Sequence, residues 1–122
     1  MRTQPTEAET QKAILEVLAL HGVFAGRLNT GAGFVNGRPI QHHTFGKGCA
    51  DILAFPRIEL KVEYADGRTD ARIVVPTWIE VKAPGKKAGP EQIGFQQHVR
   101  ALGHDYLLVD SVDQILVWIK TL

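Results

Sequence analysis

What most constrains this chain is the order in which helical and strand periodicities follow one another. Thr6-Glu7-Ala8-Glu9 has the form of a capping box, with Thr6 as N-cap and Glu9 three residues on. Ile14, Val17, Leu18 and His21 then recur at helical spacing until Gly22 ends the run. Val23 to Asn29 reads as a short strand, and Thr30 to Lys47 as a turn-rich stretch with a hairpin signal at Asn36-Gly37. Asp51 to Phe55 predicts a buried strand. Arg57 to Tyr64 alternates polar and apolar, as a half-exposed strand does. Arg72 to Lys82 is expected as its partner strand, with a bulge or edge position near Pro76. Pro90 opens a helix that Gly103 closes after Leu102, and Tyr106 to Val109 forms a core strand. Ser111 and Gln114 repeat the capping-box spacing before a last helix. The order predicts an α/β fold, with a single central mixed sheet flanked by helices and residues 1–122 forming one domain.

With 122 residues, 44% hydrophobic and 22% charged, the composition is that of one folded domain and excludes a disordered or collagen-like chain. The apolar runs are too interrupted to span a bilayer. No apolar signal core follows Met1-Arg2-Thr3-Gln4-Pro5, so a cytoplasmic address and no membrane partner are expected. The single Cys49 precludes an internal disulfide. Net charge is only +1, yet no acidic residue falls between Glu16 and Asp51, where Arg27, Arg38 and Lys47 lie. Lys82, Lys86 and Lys87 form a second basic cluster. Such patches can serve a polyanion without making the chain basic, although on charge alone ordinary solvated loop charge is the favoured reading.

Trp78-Ile-Glu-Val-Lys82 carries the chemistry. A strand period of two puts Glu80 and Lys82 on one face, with Ile79 and Val81 in the core on the other. A cross-strand ion pair is the plain reading of a lone Glu-x-Lys. Asp51 changes the balance, because it opens an apolar strand and is expected to meet Glu80 at neighbouring strand ends. Two carboxylates there suit a hard divalent cation, Mg²⁺ or Mn²⁺, whose remaining positions water and phosphate fill. Lys82 would then orient water or stabilise a developing oxyanion.

Asp51 followed by Glu80-Val81-Lys82 resembles the PD-(D/E)XK nuclease motif, with Ala50-Asp51 in place of Pro-Asp. Further stretches resemble the VRR-NUC branch of that superfamily. They are Glu7-Ala-Glu-Thr-Gln11, Arg27-Leu-Asn-Thr-Gly31, Gly48-Cys-Ala-Asp-Ile-Leu53 and Ile79-Glu-Val-Lys-Ala-Pro-Gly-Lys86. Pro90-Glu-Gln92 with Phe95, Leu102-Gly103 and Val109-Asp-Ser111 complete the order. The length suits the stand-alone form of phages and bacteria. The resemblance implies an αβββαβ core and metal binding by Asp51, Glu80 and the Val81 carbonyl. It implies Lys82 as the catalytic lysine, Glu7 rather than Glu9 as the helix-one acid, and Gln92 as the helix glutamine near the site. The expected activity is metal-dependent hydrolysis of DNA phosphodiesters, with branched or flapped DNA preferred and homodimers frequent among small members.

Backbone binding is expected from Arg27, Arg38, Lys47, Lys86 and Lys87. The alternative is a non-catalytic nucleic-acid-binding or assembly module, against which the complete Asp51, Glu80 and Lys82 set argues. The span from Asp51 to Glu80 is longer than a minimal hairpin needs, and the extra length is the Arg57–Pro76 excursion. Adjacent His42 and His43 point to opposite faces of a strand and make a poor shared site. Cys49 and the two tryptophans read as packing residues.

Overall fold

The computed structural model describes residues 4–28, 30–43, 45–61, 63–67 and 70–122, with backbone alone for 30–35, 38–43, 60–61 and 70–72. In chain order the elements are α1 (Glu7–Leu20), β1 (Phe24–Arg27), β2 (Thr30–Val35), β3 (Arg38–His43), β4 (Ile52–Phe55) and β5 (Arg57–Lys61). Then come β6 (Asp70–Val74), β7 (Thr77–Val81), α2 (Pro90–Ala101), β8 (Asp105–Val109) and α3 (Val112–Ile119). The central sheet has the order β1-β4-β7-β8. β4 runs antiparallel to β1 and β7, and β8 runs parallel to β7 across the α2 connection. This is an α/β fold built on a four-stranded mixed sheet and three helices.

The two faces of the sheet are both covered. On one, Ile14 and Leu18 of α1 and Ile115 of α3 pack against Ile52, Ala54, Ile79, Val81 and Val109. On the other, Phe95 and Val99 of α2 pack against Trp78, Tyr106, Cys49 and Ala50. Every residue of β7 is therefore buried, as a strand at the centre of a two-sided sheet must be. The Thr6–Glu9 capping box is formed, with Glu9 N–H donating to Thr6 Oγ1 at 3.1 Å. Among the described residues no helix is long and apolar enough to cross a membrane.

Three expectations need correction. The sheet is not single, because β2–β3 and β5–β6 form separate two-stranded hairpins. The first is the Asn36-Gly37 hairpin, whose two turn residues take positive φ of 51° and 76°. The run from Arg72 to Lys82 is not one partner strand: β6 pairs with β5, whereas β7 leaves that pairing and joins β4. Pro76 lies at this break and lacks the N–H a continuous ladder would need. At α3 the Ser111 side chain caps nothing. Gln114 Oε1 instead accepts from Asp110 N–H at 2.7 Å, one residue before the N-cap.

Candidate active site

The β4–β7 register pairs Ile52 with Ile79, so one step beyond it Asp51 lies opposite Glu80. Directly opposed residues of an antiparallel pair share a face. Here that face is the one α2 covers, since Glu80 follows Trp78 by two positions on β7. Asp51 N–H donates to Ile79 carbonyl at 3.1 Å, which extends the ladder by one bond. The Asp51 side chain then takes over where β4 stops: its Oδ2 accepts from Val81 N–H at 2.8 Å.

Glu80 is only 4% exposed, so its carboxylate must be satisfied locally or hold a proton. Its Oε1 accepts from Gln92 Nε2 at 3.1 Å and lies 3.9 Å from Lys82 Nζ. Gln92 is fixed at its other end as well, because its Oε1 accepts from Gly89 N–H at 2.9 Å and caps α2. Glu80 Oε2 is buried with no hydrogen-bond partner. Burial first, and the facing Asp51 charge second, push the Glu80 carboxyl up to about 8. Burial also raises Asp51, opposed by its bond from Val81 N–H. The two facing carboxyls thus favour a shared proton.

Glu7 reaches this strand end from α1. Its Oε1 accepts from Ala83 N–H at 2.8 Å and lies 3.9 Å from Lys86 Nζ. Glu9 is spent on the capping box. Lys82, Lys87 and Gln92 line a groove of about 820 Å³ with Gly48, Cys49 and the Gly89–Glu91 start of α2. Arg27 does not line this groove: its Nε donates to Gln11 Oε1 at 2.9 Å, one turn along α1 from Glu7. Lys47 is exposed in the loop before Gly48. The side chains of Arg38, His42 and His43 lie outside the described residues.

Tyr106 was not singled out by sequence. Its hydroxyl is the other buried, unpartnered side-chain oxygen among the described residues, and burial, then the Glu80 and Asp51 charges, raise its pKa. A Tyr in an apolar strand carries no local mark of this position. Burial likewise raises the Cys49 thiol.

Among the described residues no group of three His, Cys, Asp or Glu side chains forms a metal site. Two facing carboxylates with an orphaned buried oxygen nevertheless fit a hard cation, which needs one or two protein carboxylates when a phosphate completes its shell. Set against protein-family models, curated proteins and solved structures, the chain matches none.

Proposed function

We propose that the chain is a Mg²⁺- or Mn²⁺-dependent nuclease that hydrolyses DNA phosphodiester bonds, of the PD-(D/E)XK type and the VRR-NUC branch. One observation carries the reading. Asp51 and Glu80 meet under α2 with Glu80 Oε2 buried and unpaired, and Lys82 stands 3.9 Å from the same carboxylate. The element order supports the reading too: without the two hairpins it is helix, three antiparallel strands, helix, parallel strand and a last helix.

Asp51, Glu80 and the Val81 carbonyl would hold the cation, which when bound supplies a nucleophile at neutral pH and neutralises charge on the scissile phosphate. The chain's own residues do the positioning. Gln92 holds Glu80 Oε1 in place from α2, and Val81 N–H holds Asp51. Glu7 ties α1 to Ala83, which fixes the strand end from which Lys82 projects. The Lys82 ammonium, shielded by its surroundings, offers a donor to the developing negative charge on the phosphate. Branched or flapped DNA is the preferred substrate in this reading.

The test is a panel of labelled duplexes, forks, flaps and junctions incubated with Mg²⁺ or Mn²⁺. Wild-type protein should cut, and Asp51→Asn should not. Lys82→Ala should slow single-turnover cleavage by ~10²-fold, the usual scale for losing one electrostatic stabiliser. Binding without cutting on every substrate and metal would favour the non-catalytic module.

A further inference from the structure

Phe45 is 55% exposed, yet its ring is held. It lies edge-to-face on Trp78, with centroids 5.1 Å apart at 85°. Trp78 is itself locked: Phe95 meets it at 5.0 Å and 80°, and its Nε1 donates to His104 Nδ1 at 3.0 Å. The exposed ring therefore rests on a buried, immobile support. A surface aromatic left to itself samples several rotamers, whereas this one presents a fixed apolar face to solvent.

Its position gives that face a use. Phe45 precedes a turn closed by Cys49 N–H on the Gly46 carbonyl at 3.3 Å, and the next residues lead into Asp51. Gly48 and Cys49 of this turn form one wall of the groove, with Lys82 and Lys87 also lining it. Gly48 brings that wall against α2, because a Cβ there would run into the Glu91 carbonyl. Glu91 also lines the groove, so an anion belongs at the lysines and away from that carboxylate. A locked aromatic three residues before Gly48, in the turn that supplies part of a groove lined by two lysines, matches the two halves of a nucleotide, base and phosphate.

We infer that Phe45 is a stacking platform for one unpaired base of the DNA substrate, next to the groove that takes the backbone through Lys87. This rests on the nuclease reading and adds a preference to it: the strand engaged beside the cleavage site is single-stranded at that nucleotide. Stacking tolerates any base, so the platform selects unpaired structure rather than sequence.

The test uses the whole chain, Ca²⁺ in place of Mg²⁺, and flap DNA with 2-aminopurine at successive unpaired positions, beside a blunt duplex of the same length. Wild-type binding should quench the fluorophore at one position. Phe45→Leu keeps an apolar contact on Trp78 but has no ring. It should abolish the quench and weaken flap binding by about five- to a hundredfold, the loss expected for one base–aromatic stack, with duplex affinity unchanged. Phe45→Trp should retain both. A quench and flap affinity unchanged in Phe45→Leu would overturn the platform while leaving cleavage of flaps intact. Failure of the wild type to bind any of these DNAs would overturn the platform and the nuclease reading together.

Discussion

At the scale of single residues, Glu80 is where folding and the proposed function pull in opposite directions. Its carboxyl is raised from 4.5 to about 8 by burial and by the facing Asp51. A native state that holds the proton more tightly than the unfolded chain is stabilised fully below pH 4.5 and loses that stabilisation as pH rises through 8. Without divalent ions, unfolding free energy should therefore fall between these values, at up to ~1.4 kcal/mol per pH unit for one proton. Asp51, also raised, adds in the same direction. Urea melts in chelator at a series of pH values measure the slope. Glu80→Gln should flatten it, and a wild-type slope of opposite sign would remove the buried, proton-sharing pair from the account.

Among the elements, the turn at Phe45–Ala50 and the start of α2 are fitted to each other through one glycine. Gly46 and Gly48 both have positive φ, 93° and 78°, so alanine at either meets a left-handed penalty of about 1–2 kcal/mol. At Gly46 the added Cβ enters open space, whereas at Gly48 it strikes the Glu91 backbone. Gly48→Ala should thus lower stability clearly more than Gly46→Ala in denaturant unfolding. Equal effects would mean that the turn and helix do not touch. This scale also marks how much the sequence reveals. Periodicity and caps located α1, α2, β4 and β8, because each states its period within a few residues. Strand partners were harder to read: nothing local in Thr77–Val81 says that it pairs with β4 rather than continuing the β5–β6 hairpin. The Asp51, Glu80 and Lys82 grouping was legible, since strand parity and strand ends bring those residues together. The Gln92 bond to Glu80, the buried Tyr106 hydroxyl and the Phe45 support arise only from tertiary packing.

For the molecule as a whole, two basic side chains meet α1 on one face, Lys86 beside Glu7 and Arg27 bonded to Gln11 one turn on. Lys87 lines the groove, and Lys47 is exposed before Gly48. Lys86 lies 3.9 Å from the part-exposed Glu7, a pairing too weak to withhold it from a phosphate. Replacing Lys86 and Lys87 together by alanine should weaken binding to all DNA sequences alike. For each phosphate no longer neutralised, the plot of log affinity against log salt should flatten by roughly 0.9 on duplex. An unchanged slope would take this loop off the DNA face. The central claim is narrower: the carboxylates of Asp51 and Glu80 are joined across β4 and β7 to hold one divalent ion. Calorimetric titration of the intact chain with Mn²⁺ tests it most directly. Wild-type protein should bind, with uptake displacing the proton that Glu80 holds, and Asp51→Asn and Glu80→Gln should each weaken binding at least about tenfold while remaining folded. Undiminished Mn²⁺ binding by both folded variants would contradict the account.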